Sequence, residues 1–256
     1  MNRPTITAHS GCEGTADGSM AAILCGITLK ADLIEVDVRH MPGLGLALTH
    51  DVTSDITGLV TLEEAFRQVA AHPQTGINCD LKEYGLAAQV LALADDCGLS
   101  DGQLAFSGSL TAGQLTADPT IVRRAKVYLN VEEVLCELYR EKHPWVPADV
   151  RPWDVVRSMA QDGLDQWIEP VIEAVLGAGV LALNLPPRHF LLPHLQRLGE
   201  AGIRLSAWTI NEPEEMRQLM ALPWLENLTT RRVALALEAR AAMENDATER
   251  GKALWA

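Results

Sequence analysis

The sequence predicts a single α/β domain, a closed barrel in which eight parallel strands alternate with about eight helices. Short runs of apolar and β-branched residues alternate with helical patterns along the whole chain, and no break in composition divides it. A length of 256 residues suits one (β/α)8 barrel, and a hydrophobic content of 48% excludes a disordered chain. We therefore expect one barrel domain over residues 1–256.

The strands are predicted from apolar runs that are bounded by turn residues. In chain order they are Thr5–His9, Leu33–Val38, Ile77–Lys82, Leu104–Ser107, Val127–Val131, Leu181–Leu185, Arg204–Ile210 and Asn227–Thr230. A further run, Leu46–His50, comes directly after two glycines. We interpret this run as the return strand of a hairpin or as an extra segment.

The helices between these strands begin at recognisable capping residues. Ser19 can cap the first helix, and Thr61 with Glu64 fits a capping box for the second. We expect the first helix to bury Ile23, Leu24 and Ile27. Apolar stripes at helical spacing predict three more helices, at Leu86, Val90, Leu93, Ala94 and Cys97, at Ile168, Val171, Ile172, Val175 and Leu176, and at Leu195 and Leu198. Pro213 is well suited to open another.

One interval is too long for a βα unit. About fifty residues separate the fifth and sixth strands, where roughly thirty suffice. If Trp167–Leu176 is the helix of that unit, the surplus forms a βα loop on the catalytic face. The stretch Glu141–Asp154, with Trp145 and Trp153, is a candidate loop that covers the site; a surface packing insert is the alternative.

The charge balance restricts the partners. The chain has 34 acidic and 21 basic residues, a formal charge of −13, and only 5% aromatic residues. Phosphates would repel such a protein, which argues against nucleic acid and anionic membranes and favours a metal cation. The five cysteines form no CxxC pair, so we expect a reduced, cytoplasmic protein. No apolar run is long enough to span a membrane, and the oligomeric state is left open.

Paired charges mark two neighbouring strands. Glu35 and Asp37 stand two residues apart in an apolar strand, so both carboxylates face the same side. Two like charges on a buried face are costly unless a divalent cation neutralises them. Asp80 and Lys82 repeat this spacing on the next strand, where Asp80 could complete a three-carboxylate site and Lys82 could hold an anion. Structural ion pairs at strand ends are the alternative interpretation.

Two histidines, His9 and His50, also end strand-like segments. Either histidine alone is typical of a hydrogen-bonded structural residue. Two of them beside three acids indicate acid–base chemistry, because imidazole titrates near neutral pH.

Six short motifs occur in one order along the chain: His9-Ser10-Gly11, Ala16-Asp17-Gly18-Ser19, Glu35-Val36-Asp37, His50-Asp51, Asp80-Leu81-Lys82 and Trp208-Thr209-Ile210-Asn211. Together they resemble the glycerophosphodiester phosphodiesterase family, whose motifs read HRG, PENT, ExD, HD, ExK and WTxN. The resemblance runs from residue 6 to about residue 231. It implies a (β/α)8 TIM barrel of the phospholipase C-like phosphodiesterase type.

The resemblance also implies an activity. A divalent cation, Mg²⁺ or Ca²⁺, would be bound by Glu35, Asp37 and Asp80, and a small phosphodiester would be hydrolysed to an alcohol and glycerol 3-phosphate. His9 and His50 would be the general acid and base. The implied phosphate and substrate contacts are Lys82, Ser10, Trp208 and Asn211.

The chain also departs from the family pattern. Ser10 replaces the arginine of HRG, and a hydroxyl cannot supply a charged two-pronged donor. Asp80 replaces a glutamate, and only ten residues separate Asp51 from Thr61, where the family inserts a small subdomain. Two alternatives follow: a phospholipase D-like relative that acts on lysolipid headgroups, and a catalytically silent barrel that binds a phosphorylated ligand.

Overall fold

The computed structural model describes residues 3–159 and 163–253, so both ends of the predicted domain and residues 160–162 lie outside it. Its single sheet has the strand order β1-β9-β8-β7-β6-β5-β4-β2-β3, and β1 also pairs with β2, which closes a barrel of eight parallel strands. The strands are β1 (Thr5–Ala8), β2 (Leu33–Met41), β3 (Gly45–Leu48), β4 (Gly76–Leu81), β5 (Leu104–Gly108), β6 (Lys126–Asn130), β7 (Ala182–Leu185), β8 (Leu205–Ala207) and β9 (Leu225–Thr230). The predicted barrel is confirmed.

Helices surround this barrel and bury their apolar faces against it. They are α1 (Met20–Leu29), α2 (Leu62–Ala70), α3 (Ala87–Asp96), α4 (Ala112–Ala117), α5 (Thr120–Arg124), α6 (Val131–Lys142), α7 (Pro152–Met159), α8 (Ile168–Ala178), α9 (Leu192–Glu200), α10 (Pro213–Met220) and α11 (Val233–Ala253). Among the described residues, no helix combines the length and the apolar character that crossing a bilayer requires.

The predicted caps form, but two predicted core residues are wrong. Ser19 Oγ accepts a hydrogen bond from the Ala22 amide, and Thr61 with Glu64 forms both bonds of the capping box. Leu24 is 43% exposed and Leu176 is 56% exposed. Each is the outermost member of its apolar stripe, and the buried arc of α1 is completed by the small residues Ala22 and Gly26 instead.

The hairpin interpretation is confirmed, because β3 runs antiparallel to β2. The prediction that the surplus before β7 is a loop is wrong for most of its length. Helix α6 begins directly after β6, and α7 follows it after residues 143–151. Arg140 Nη2 donates to the carbonyls of Pro147, Ala148 and Val150, which ties residues 143–151 to α6.

The register of the parallel strands places polar residues side by side. Asp37 on β2 is the partner of Asp80 on β4, and Asp80 is in turn the partner of Ser107 on β5. Glu35 lies two residues before Asp37 and faces the same side. Because all eight strands run in one direction, these side chains meet at the carboxyl end of the barrel.

Gly108 ends β5 at this edge, and its backbone allows no side chain. Its φ is +86°, and a Cβ there would lie 2.2 Å from the Leu81 carbonyl oxygen. We expect Gly108→Ala to lower the free energy of unfolding by about 3 kcal/mol or more, because left-handed strain and a backbone clash add. Urea unfolding measures this change.

Gly98 provides the matched control. Its φ is +71°, but nothing lies within 4 Å of its Cβ position. Gly98→Ala should therefore cost only about 1 kcal/mol, the conformational penalty alone. Equal decreases in the free energy of unfolding for Gly108→Ala and Gly98→Ala would contradict a backbone clash at position 108.

Candidate active site

A cavity of about 520 Å³ opens at the carboxyl ends of the strands. This volume lies in the range of small-molecule sites. Seven of the nine sequence-predicted site residues line it: His9, Glu35, Asp37, His50, Asp80, Lys82 and Trp208. The structure thus brings these seven residues, which come from five of the predicted elements, to one place.

Three carboxylates form the floor of the cavity. Glu35, Asp37 and Asp80 each offer an oxygen, and these oxygens lie within 4.8 Å of one another. Glu35 and Asp37 are only 7% and 5% exposed. Burial, with the negative charges of Asp37 and Asp80, raises the pKa of Glu35 well above its ordinary value. Keeping all three carboxylates ionised is unfavourable because they repel one another, and a divalent cation bound between them would offset that repulsion.

Lys82 is the positive group within this cluster. Its Nζ lies 2.7 Å from Asp37 Oδ1 and also pairs with Asp80. Burial pulls the pKa of this ammonium down, but the charges of Asp80 and Asp37 outweigh it, so the pKa lies above its ordinary value. Lys82 therefore remains charged and partly neutralises the carboxylates.

A short relay of neutral groups orients Asp80. Ser107 Oγ donates to Asp80 Oδ1 at 2.7 Å, and Asn78 Nδ2 donates to Ser107 Oγ at 3.0 Å. The serine hydroxyl has one proton to donate, so the amide behind it directs that proton towards the carboxylate. Asn78 and Ser107 were not among the sequence-predicted residues, although both belong to strands that carry the site.

His9 stands beside the carboxylates. Its Nδ1 lies 2.9 Å from the Ser10 carbonyl oxygen and 3.8 Å from Glu35 Oε2. A bond to a carbonyl requires a proton on Nδ1, which leaves the lone pair on Nε2. Burial is the main cause that lowers the pKa of His9 below its ordinary value. The ring is therefore neutral at pH 7, with a basic nitrogen free to accept a proton.

His50 lies at the rim, with 67% of its side chain exposed. Its Nδ1 lies 2.9 Å from Asp51 Oδ1, and the hydrogen bond to His50 lowers the pKa of Asp51. The Thr49 amide donates to the Asp37 carbonyl at 3.0 Å, and Arg39 Nε donates to the His50 carbonyl. These bonds hold the His50 backbone beside β2.

Ser10 and Asn211 lie behind the cavity wall, outside the residues that line it. The Ser10 amide donates to Glu35 Oε2 at 2.9 Å, while its Oγ accepts a hydrogen bond from the Gly18 amide at 2.8 Å. Asn211 Oδ1 accepts from the Arg231 amide at 2.9 Å. Both side chains therefore hold backbone segments that carry other cavity residues.

Sequence analysis missed four charged residues that line the cavity. Asp17, Glu132, Glu133 and Arg231 all do so. Glu132 and Glu133 come directly after β6, and Arg231 comes directly after β9, so the same strand-end rule that found the other residues could have found these three.

The acidic pair at the start of α6 is buried. Glu132 Oε1 accepts a hydrogen bond from Asn130 Nδ2 at 2.8 Å, while Oε2 has no partner among the described residues. Burial is the largest cause that raises the pKa of Glu132 to about 8 and that of Glu133 to about 7. The Tyr84 hydroxyl donates to Glu133 Oε2.

The two tryptophans of the Glu141–Asp154 stretch differ in position. Trp153, on α7, lines the cavity and meets Trp208 edge to face, with ring centroids 6.4 Å apart. Trp145 is 72% exposed and lies against His143 rather than in the cavity wall. Of this stretch, the start of α7 is the part that lies at the site.

Comparison with solved structures agrees with the barrel fold. A glycerophosphodiester phosphodiesterase from Parabacteroides distasonis superposes with a TM-score of 0.66 at 14% identity, over 96% of this chain and 99% of that one. One from Thermotoga maritima gives 0.63 at 19% identity, over 93% and 99% of the two chains. The chain shares the fold of these phosphodiesterases.

A third similar structure holds a ligand. The Oleispira antarctica phosphodiesterase, solved with its product sn-glycerol 3-phosphate, superposes with a TM-score of 0.59 at 16% identity, over 92% of this chain and 96% of that one. No family model and no curated protein sequence matches the chain.

Glu132 makes the stability of the metal-free protein depend on pH. Between the ordinary glutamate pKa of 4.5 and about 8, the folded protein keeps a proton that the unfolded chain releases. The free energy of unfolding therefore falls as pH rises through this window, by roughly 4 kcal/mol from this group. We expect Glu132→Gln to remove this contribution to the decrease in the free energy of unfolding. Urea unfolding in EDTA at a series of pH values measures it.

Glu141→Gln removes the same charge from an exposed position of α6 and should leave the wild-type pH profile unchanged. Parallel stability profiles for wild type and Glu132→Gln would show that Glu132 is ionised in the folded protein.

Proposed function

We propose that the protein is a metal-dependent phosphodiesterase that hydrolyses small glycerophosphodiesters to an alcohol and glycerol 3-phosphate. The observation that carries this proposal is the clustering of three carboxylates, two of them buried and one half-buried, with Lys82 and His9 in one cavity, with His50 at its rim. The shared fold with glycerophosphodiester phosphodiesterases, and with a phosphodiesterase bound to its product sn-glycerol 3-phosphate, supports it.

The carboxylate cluster fits a divalent cation. Its donors are oxygens, which Mg²⁺ and Ca²⁺ prefer. Burial and neighbouring charges disfavour the ionised form of Glu35, and a bound cation would stabilise that form. When bound, such a cation would neutralise the charge that develops on the phosphoryl oxygens. We assign the cation to Glu35, Asp37 and Asp80, and leave the choice between Mg²⁺ and Ca²⁺ to experiment.

The two histidines divide the proton transfers. His9 Nε2 accepts the proton of the glycerol hydroxyl next to the phosphate, and the resulting oxygen attacks phosphorus as the bond to the leaving alcohol breaks. His50, whose ring is held by Asp51, donates a proton to that alcohol. A water molecule then opens the cyclic phosphate, and the two histidines return to their starting protonation states.

The positive side chain of Lys82 remains at the edge of the carboxylate cluster, where phosphoryl oxygens would enter. Trp208 and Trp153 form an apolar wall of the same cavity. The cavity volume of about 520 Å³ suits a small soluble diester. The formal charge of −13 disfavours docking on an anionic bilayer, which supports small diesters over membrane lipids.

Metal binding can be tested without activity. We expect Asp37→Asn to weaken Mg²⁺ or Ca²⁺ binding at least about tenfold, because one of three charged oxygen ligands is lost. Isothermal titration calorimetry measures the affinity directly. Asp96→Asn, an exposed change on α3, serves as the control and should bind like wild type; unchanged affinity in Asp37→Asn would rule out the assigned ligand set.

The reaction is tested with glycerophosphoethanolamine and bis(p-nitrophenyl) phosphate. We expect EDTA to abolish the turnover of both substrates, and His9→Ala to lower the kcat for glycerophosphoethanolamine about 10²- to 10⁴-fold, the magnitude of general acid–base catalysis. Bis(p-nitrophenyl) phosphate has no hydroxyl next to its phosphate, so on this substrate water attacks phosphorus and His9 accepts the proton of that water. His50→Ala should fall similarly on glycerophosphoethanolamine, and less on the activated ester, whose leaving group needs no proton.

His72→Ala, a change at an exposed histidine outside the cavity, should turn over both substrates like wild type. Release of glycerol 3-phosphate identifies the cleaved bond. Turnover that is insensitive to EDTA and to both active-site histidines would contradict the mechanism, and no turnover by wild type would indicate a silent binding barrel.

A further inference from the structure

We propose that Arg231 supplies the phosphate-binding guanidinium of this site, from the end of β9. The inference rests on the proposed function and adds a residue to it. It also explains together four features that the proposed mechanism leaves unused: the serine at position 10, the glycine at position 11, Asp17, and the inward hydrogen bonds of Asn211.

Arg231 is in the right place. It is the first residue after β9, which pairs with β1, and His9 is the first residue after β1. Among the described residues that line the cavity it is the one arginine. Its side chain is 39% exposed, so the guanidinium is partly sheltered and still open to a ligand. Its positive charge also adds to the main effect of burial in lowering the pKa of His9.

The guanidinium is held in one orientation. Nη1 lies 2.6 Å from Asp17 Oδ1, and Nη2 lies 3.1 Å from Asp17 Oδ2, a two-pronged contact. The backbone is fixed as well, since the Arg231 amide donates to Asn211 Oδ1 and its carbonyl accepts from the Glu13 amide at 2.7 Å. A guanidinium has five N–H donors, so Asp17 leaves others available for phosphate oxygens.

The segment that follows β1 is shaped around this arginine. A Cβ at Gly11 would lie 2.6 Å from Arg231 Nη1 and 1.9 Å from Asp17 Oδ1, so the ion pair occupies the space beside residue 11. The neighbouring Ser10 uses its hydroxyl to hold the Gly18 amide, next to Asp17. Ser10 therefore helps to place Asp17, and the guanidinium that pairs with Asp17 comes from Arg231.

Of the two positive side chains among the described residues that line the cavity, Arg231 has more hydrogen-bond donors available for a phosphate than Lys82. Lys82 is already paired with two carboxylates, Asp37 and Asp80. Arg231 faces one carboxylate and has donors to spare. A planar guanidinium can bind two phosphate oxygens at once, which the single ammonium of Lys82 cannot do with the same geometry.

A purely structural staple between Asp17 and Arg231 is the competing interpretation. A partly exposed ion pair contributes little to stability, so a staple would alter the thermal midpoint slightly and leave ligand affinity unchanged. Phosphate affinity therefore separates the two roles.

The test measures the KM of bis(p-nitrophenyl) phosphate and the inhibition constant of inorganic phosphate with metal-loaded protein. We expect Arg231→Gln to raise both by about tenfold or more, the loss of a charge-assisted hydrogen bond pair. Arg231→Lys should fall between this variant and wild type, and Asp17→Asn should weaken phosphate binding by a smaller factor. Arg232→Gln, a change at the exposed neighbouring residue, should behave like wild type.

Chemical rescue adds a readout that a staple would not predict. Low millimolar guanidinium chloride should partly restore the phosphate affinity of Arg231→Ala, whereas equal concentrations of sodium chloride or urea should not. Metal affinity, measured by calorimetry, should not fall in any Arg231 variant.

These outcomes separate the inference from the proposed function. Phosphate binding is also measured by calorimetry, independently of turnover. If wild type hydrolyses no diester but its phosphate affinity depends on Arg231, the proposed function fails and this inference stands. If Arg231→Gln binds phosphate within about twofold of wild type, the inference is overturned, whether or not the diester is hydrolysed.

Discussion

The clustering of three carboxylates on two adjacent strands, two of them buried and one half-buried, is the constraint on which the rest of the site depends. Asp37 and Asp80 are register partners, and neighbouring strands lie only about 4.8 Å apart, so their charges cannot avoid one another. Inside a protein this repulsion is far stronger than in water. The surroundings compensate with the Lys82 ammonium, the Ser107 hydroxyl and the Ser10 amide, and with oxygen geometry suited to a cation.

The barrel supplies the rigidity that such a cluster needs. Parallel strands buried on both faces hold Glu35, Asp37 and Asp80 at fixed spacing, and Gly108 lets β5 come close enough for Ser107 to reach Asp80. The backbone around the cavity is held from behind by side chains that do not line it, Ser10 and Asn211. Precise placement of the charged groups in the cavity therefore comes from regular elements and their direct hydrogen bonds.

The cavity also has two electrostatic sides. The carboxylate cluster lies on β2 and β4, and Lys82 and His9 directly follow β4 and β1. Glu132 and Glu133 lie on the opposite side of the cavity, after β6. The raised pKa of Glu132 reflects burial with one carboxylate oxygen unpartnered among the described residues.

The sequence by itself determined the barrel, the order of its strands, the caps at Ser19 and Thr61, and seven residues that meet in the cavity. These features depend on local periodicity, or on the rule that parallel strands end at one edge, and both can be read along the chain. Tertiary structure decided the rest: α6 in place of a loop, the exposure of Leu24, and the supporting positions of Ser10 and Asn211. It also decided the pairing of Asp17 with Arg231, residues 214 positions apart. That contact exists only because the barrel closes through the pairing of β1 with β9, and no pattern local in sequence encodes it.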